Sequence, residues 1–441
     1  MCIRDSLYPL EIFSIFYGSI EIQPVSIFFV FSLVFSIFYL AAGARFRLDI
    51  VSVLIFTYIV ASCLASIRNP QIVSFTGFVY SFMILITYIY FISLVRDQNE
   101  LGIVIKTIMI ISLTLSVYAI VEQLSFKFFN YGLKPPFCEM FYTICGEWNR
   151  EFGGGYTRAR ATFFGLNGLG GFLLPGFFLF FVQTKFKSKL LYHLLSFVIF
   201  FAILCTLSRN AILGLIVGFV VYYLSVSFIK SKDLSFFYIK LAVLISGFIL
   251  LMLLNHFLAY DSGMALRLDL FRDLIPVSLE DAAYALKHSE ESSLSIFITH
   301  FLAAIQVNAE TFGLGMGIQL FDDYAMNYDY VVTWGSHSNF ILFLGESGVF
   351  GFLAHVLIIF YIVYLYIDIL KIYNSNYPVS NEVNYYCCIF IALFSSYLGT
   401  VVTGIVRTQY YNIYTFIIIA LIVITYQHVK DLNSLSPNIS K

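Results

Sequence analysis

Charge is scarce in this chain: of 441 residues only 12% are Asp, Glu, Lys or Arg, against 60% hydrophobic and 19% aromatic. A soluble globular domain is about a quarter charged, so this composition excludes that class and points to a multi-pass membrane protein. The net charge of −1 carries little information, because orientation in a membrane follows the local placement of Lys and Arg. Cysteine is sparse as well, and seven scattered residues exclude a disulfide framework. Cys63, Cys205, Cys387 and Cys388 lie in apolar runs and read as small core residues. Cys138 and Cys145 share one polar loop, either as free thiols or, in an oxidising compartment, as a pair. No cleavable signal peptide is expected, since MCIRDSLYPLEIF places acids in its apolar part and has no small-residue cleavage site. No internal repeat is visible, and no Cys/His spacing is diagnostic of zinc.

What the chain has in abundance is apolar runs of roughly 17 to 25 residues, the length that carries a helix across lipid. Twelve are expected, near 8–22, 25–43, 48–66, 72–95, 101–122, 164–183, 190–207, 209–229, 236–258, 341–370, 385–405 and 410–428. The first is the weakest, carrying Glu11 and Glu21. Assigning loops alternately puts Arg4, Arg45, Arg47, Arg96, Lys185, Lys187, Lys189, Lys230, Lys232, Lys371, Lys430 and Lys441 on one side. The short loops opposite hold only Arg68, Arg209 and Arg407. That bias predicts both termini in the cytoplasm. The expected fold class is an all-α polytopic membrane bundle of about twelve transmembrane helices. Its divisions are residues 1–163, a core at 164–430 containing a large outer loop at 259–340, and a cytoplasmic tail at 431–441. A further outer loop spans 123–163.

Loops of this size in a compact membrane protein are usually functional. Within the larger one, Leu294, Phe297, Ile298, Phe301, Leu302 and Ile305 recur at helical spacing opposite Ser295, Thr299 and Gln306. This predicts a helix lying flat on the bundle or on the membrane surface, and membrane lipid is an expected partner of the chain as a whole. Acids in the loop outnumber Arg267, Arg272 and Lys287, which excludes a nucleic-acid partner. Asp322 and Asp323 read either as a metal pair or as an acidic patch on a wet loop.

Three clusters on the outer side can carry chemistry. In YTRARATFFGLNGLGGF, Arg158 and Arg160 precede a glycine-rich helix start holding Asn167. Guanidinium groups grip phosphate oxygens in forked geometry, and helix-start amides favour an anion. The other reading is that these arginines reach lipid headgroups. In LCTLSRNAILG, Arg209 occupies a tight outer turn, where a charge between apolar spans needs water, a partner or a ligand. In GLGMGIQLFDDYAMNYDYVVTWGSHSNFILFLGESGVFG, His337 and Asn339 stand where a polar stretch passes into lipid. A histidine at such a boundary can act as general base or can simply be a hydrogen-bonded interfacial residue. Gly313, Gly315 and Gly317 form GxGxG without a strand or nucleotide-binding unit, so they read as a flexible turn.

Taken together, these clusters resemble the O-antigen ligase and polymerase superfamily of bacterial envelope enzymes, from about Arg158 to the end of the tenth span. The matching residues are Arg158 with Ala161-Thr162-Phe163 and Leu166-Asn167, then Ser208-Arg209. They continue with Gly313-Leu314-Gly315, His337, Asn339 and Glu346-Ser347-Gly348-Val349-Phe350-Gly351. Ala161 and Leu166 replace the usual Gly and Pro. The arginine that many relatives place before the loop helix is missing at Glu291-Ser292-Ser293-Leu294, leaving Arg267 and Arg272 as candidate replacements. The resemblance implies glycosyl transfer on the periplasmic face of the inner membrane, from a polyprenyl-diphosphate-linked glycan donor to a lipid A-core or second glycan acceptor. It implies no metal and no cofactor, with Arg158 and Arg209 neutralising the diphosphate and His337 as base. Arg160, Asn167, Asn339 and Glu346 would contact substrate. The lipid tail would enter sideways between the outer loop and the bundle. Ligase is favoured over polymerase, with a transporter as the reading from another class.

Overall fold

A computed structural model describes residues 15–17, 20–22, 47–68, 72–129, 166–183, 189–206, 208–230, 293–318, 320–328, 331, 338–375, 380–406 and 413–435. Two short strands come first, β1 (Ile15–Tyr17) and β2 (Ile20–Ile22). They pair antiparallel with Ile15 opposite Ile22 and Tyr17 opposite Ile20. At these six residues strand stands where a helix was expected over 8–22, the rest of that stretch lying outside the described residues. Isoleucine and aromatic residues favour strands.

The helices are α1 (Ile50–Arg68), α2 (Ile72–Leu94), α3 (Gln98–Phe129), α4 (Leu166–Gln183), α5 (Lys189–Cys205) and α6 (Arg209–Lys230). They continue with α7 (Ser293–Glu310), the single turn α8 (Phe321–Ala325), α9 (Asn339–Ser375), α10 (Asn381–Val406) and α11 (Ile413–Leu435). Among the described residues five are long and apolar enough to cross a membrane: α1, Gln98–Ser125 of α3, Asn339–Tyr373 of α9, Asn381–Gly404 of α10 and Tyr414–Ser434 of α11. Shorter apolar helices cover Ser81–Leu94, Gly168–Gln183, Leu190–Cys205 and Asn210–Val226. The chain is therefore a helical membrane protein, because in lipid every backbone group needs an internal partner. Spans expected at 25–43 and 236–258, and most of the loop at 123–163, lie outside the described residues. So do Cys138 and Cys145. Among the described residues Cys63, Cys205, Cys387 and Cys388 form no disulfide, and the last three are buried.

Local chemistry explains where several helices start. Asp49 accepts from the Ser52 amide at 2.9 Å while Ser52 Oγ accepts from the Asp49 amide at 2.8 Å. Asp97 and Glu100 make the same reciprocal pair ahead of α3. Each arrangement satisfies amides that a helix start leaves open. Ser208 caps α6 by accepting from the Ala211 amide at 3.2 Å.

The helix at the centre is α10, packed against α4, α6, α9 and α11. Helices join by small residues, because lipid gives apolar side chains no reason to prefer each other. On α6, Gly214 and Gly218 face Ser395, Gly399 and Thr403 of α10, and a Cβ at Gly399 would strike the Gly214 carbonyl. Gly214 and Gly218 stand in Gly-x-x-x-Gly spacing in the sequence. Only the fold shows which helix it meets.

The two ends of the bundle differ. At one end, Arg47 Nη1 donates to Gln427 Oε1 at 3.1 Å, Tyr88 Oη to Asp49 at 2.6 Å and Tyr426 Oη to Asp368 at 2.7 Å. Gln183 Nε2 donates to Tyr385 Oη at 2.8 Å. These bonds tie the starts of α1 and α10 to the ends of α2, α4 and α11. The opposite end gathers the starts of α4, α6 and α9, and it is where the candidate site lies.

Candidate functional site

The starts of the three motif-bearing helices are brought together by contacts too close for larger residues. Gly170, in the first turns of α4, lies against Ala211 of α6 and within 3.6 Å of Thr206 Oγ1, measured from an added Cβ. Thr206 in turn accepts from the Ser208 amide at 3.2 Å, tightening the turn that leads into Arg209. Three residues before Gly170, on the same helix face, is Asn167. Across the bundle, Asn339 in the first turn of α9 rests on Gly404 near the end of α10. Thr403 reaches Gly214 of α6. The backbones bearing Asn167, Arg209 and Asn339 thus surround the last turns of α10. The aligned peptide dipoles leave partial positive charge at helix starts, so three such starts converging favour an anion.

The GxGxG segment has a different job from the flexible turn read in the sequence. Gly313, Gly315 and Gly317 take φ of +80°, +81° and +107°, and Gly348 breaks α9 with φ 66° and ψ −167°. The loop is bonded into that break. Met316 N donates to Gly345 O and Gly317 N to Glu346 O, both at 2.9 Å, while Val349 N donates to Gly313 O at 2.9 Å. Asn308 Nδ2 adds a bond to Leu344 O at 2.7 Å. Thr311 Oγ1 accepts from Gly315 N at 3.0 Å. Carbonyls beside a broken turn need new partners when buried, and the loop supplies them. Two sequence motifs that looked independent are therefore one backbone lock, with Ile318 N bonded to Ser66 Oγ of α1 at 3.4 Å. The same lock holds Glu346, whose side chain is buried.

Beside the lock, α7 is fastened to α1 and α8. Arg68 Nη2 donates to Glu310 O at 3.4 Å, Gln306 Nε2 to Glu310 Oε1 at 3.1 Å and Tyr324 Oη to Glu310 Oε2 at 3.0 Å. The bond to Glu310 is the main reason the Tyr324 phenol stays protonated above its ordinary value of 10.0. A group with a raised folded pKa contributes stability that is whole below its unfolded pKa and lost as pH climbs through the folded one. Thermal stability should therefore fall more steeply above pH 10 in the wild type than in Tyr324→Phe. A melting series across that range checks it, and parallel curves would discount the bond.

His300 is fully buried, with its ring edge-on to Phe321 at 6.5 Å. Asp322 is buried and Asp323 is exposed. Among the described residues no group of three or more His, Cys, Asp or Glu is placed to hold a metal. His337, Arg158, Arg160, Arg267 and Arg272 lie outside the described residues, as do the side chains of Asn167 and Arg209. Glu122 is buried at the end of α3, close to Cys205. A cavity of about 270 Å³ with an almost wholly apolar lining lies between α2, α3, α4 and α11, bordered by Phe91, Ile111, Phe172, Pro175 and Ile418. Sequence reasoning missed Asn308 and Thr311, whose type and spacing carry no signal until the broken turn they serve is known. No protein-family model and no curated protein matches the chain.

Proposed function

We propose that the chain transfers a glycan on the periplasmic face of a bacterial inner membrane, without a metal, from a polyprenyl diphosphate to lipid A-core. It would do so as an O-antigen ligase-like bundle of about twelve helices with both termini cytoplasmic. The observation that carries this reading is the convergence of the helix starts bearing Asn167, Arg209 and Asn339 at one end of the bundle. Arg47, Arg96, Lys371 and Lys430 belong to the opposite end, as the positive-inside rule asks of a cytoplasmic face.

In the reaction, the acceptor hydroxyl oxygen bonds to the anomeric carbon of the donor as the bond from that carbon to the phosphate oxygen breaks. The proton passes to His337 and the polyprenyl diphosphate departs with the electron pair. Arg158 and Arg209, with Arg160 and Arg267 or Arg272, oppose the charge that grows on the leaving group. Charge stabilisation of this kind is commonly the largest catalytic contribution. Asn167, Asn339 and Glu346 orient the sugars. The apolar cavity beside Phe172 suits a segment of the lipid tail.

A deletion strain complemented with wild-type or variant chain, read on a lipopolysaccharide gel, tests the proposal. Loss of a ligase leaves bare core with polymer stranded on its carrier, whereas core capped by one repeat would identify a polymerase acting on a second lipid-linked glycan. Transfer by His337→Ala should fall about 10²–10⁴-fold at unchanged protein level, the usual worth of a general base. Full transfer by that variant would remove His337 from the role. Unaltered glycans in the deletion strain would overturn the reading and favour transport.

A further inference from the structure

The helix α7 has three faces, and among the described residues only two have partners. His300, Ala303, Ala304, Val307, Asn308 and Thr311 are buried against the bundle. Gln306 and Glu310 form a polar strip engaged with one another and with Tyr324. Between these strips lie Phe301, Leu302, Ile305 and Ala309, apolar and exposed.

The strip ends on Phe312, which is 91% exposed and has φ 55°. The Gly313 amide donates to Asn308 O at 2.7 Å, the bond that ends a helix in a Schellman turn. That puts Phe312 at the left-handed position where glycine is normally found, since a Cβ there crowds the backbone. A bulky aromatic has been placed in an unfavourable backbone conformation and gains almost no protein contact for it. Among the described residues, nothing but the helix-ending bond offsets this cost.

The neighbouring surface indicates a further source. A Cβ on Gly313 would lie 3.7 Å from Val349 Cγ2. Val349 and Phe350 begin an exposed apolar stripe that runs down α9 through Leu353, Leu357, Phe360 and Tyr364. On a membrane-spanning helix that stripe faces lipid, and the α7 strip continues it at the outer end.

We propose that α7 is an interfacial helix whose Phe301, Leu302, Ile305 and Phe312 are immersed in the outer leaflet, with Phe312 as a wedge at the depth of the acyl-chain boundary. Its amphipathic division into core, lipid and water faces is the arrangement expected of a helix lying in the membrane plane. The inference is independent of the transfer reaction. It anchors the loop that locks α9 to the bilayer surface.

The test uses the full chain with Trp148 and Trp334 replaced by Phe, reconstituted in phosphatidylcholine and phosphatidylglycerol vesicles. Phe312→Trp and Ile305→Trp are compared with Asn327→Trp, an exposed polar position on the adjoining turn. Lipids brominated near the headgroup end of the acyl chain should quench both apolar-site tryptophans and blue-shift them, with aqueous iodide having little effect. Asn327→Trp should show the reverse. Quenching of Phe312→Trp by iodide to the extent of Asn327→Trp would place it in water and overturn the proposal. Quenching by neither agent would mean a protein surface, such as a second copy, covers the strip, and would overturn it too.

Discussion

Replacing Gly348 by alanine should abolish most of the folded protein, seen as loss of the monodisperse peak when detergent extracts are followed by size exclusion. With φ 66° and ψ −167°, Gly348 occupies backbone space that residues with a side chain essentially never enter. A Cβ there would also run into the Gly313 carbonyl and Leu314, which are backbone atoms held by the lock. Relief would require the loop to leave the break in α9. That would strand the carbonyls of Gly345 and Glu346, which now accept from Met316 and Gly317. Strain and displacement together should cost about 3–5 kcal/mol, a large share of the stability of an ordinary domain. Gly102→Ala in α3 is the matched control. Nothing lies within 4 Å of its added Cβ, so it should be neutral or stabilising by about 0.5–1 kcal/mol. Equal behaviour of the two variants would show that the lock does not hold the fold.

A comparable loss is expected from Gly399→Leu, for a different reason. Here the obstacle is the close approach of α10 to α6, where an added Cβ meets the Gly214 carbonyl itself. A carbonyl in a helix cannot retreat without its helix, so a leucine must push α6 and α10 apart. Helices in lipid associate largely through close packing, and a gap between them is not made good by any hydrophobic return. Because α10 also packs on α4, α9 and α11, the disturbance reaches the centre of the bundle. Gly214→Ala supplies the graded comparison. Its Cβ would sit 3.0 Å from Leu174 Cδ1 and Thr403 Cγ2, side-chain ends that can give by a few tenths of an ångström, and 3.1 Å from the Gly399 carbonyl, which yields only as its helix shifts. About 1–3 kcal/mol of overpacking is expected there, read as a lowered melting temperature with the folded peak retained. A Gly399→Leu protein that melts like wild type would refute the crossing.

The candidate site was legible in the sequence to the extent that its residues mark helix starts. Asn167, Arg209 and Asn339 were read at the beginnings of apolar spans, and α4, α6 and α9 begin at Leu166, Arg209 and Asn339. The helix predicted from Leu294 to Ile305 is present as Ser293–Glu310. These succeed because lipid imposes a length and an apolar composition on any helix that crosses it, and because a periodic apolar face is a local property. The N-terminal hairpin was misread for a related reason: a short apolar run of strand-forming residues does not announce its period.

Amino-acid order alone therefore settled that this is a helical membrane protein and where nearly all of its described helices run. It did not settle which face of each helix is inside. Apolar residues surround most of these helices, and a helix apolar all round has no preferred side until small residues meet. Only the tertiary structure made α10 the centre, joined GLGMG to the break at Gly348 and left Phe312 facing outward. Each depends on backbone groups far apart in the chain, and no local pattern of side chains encodes which distant carbonyl will need a partner.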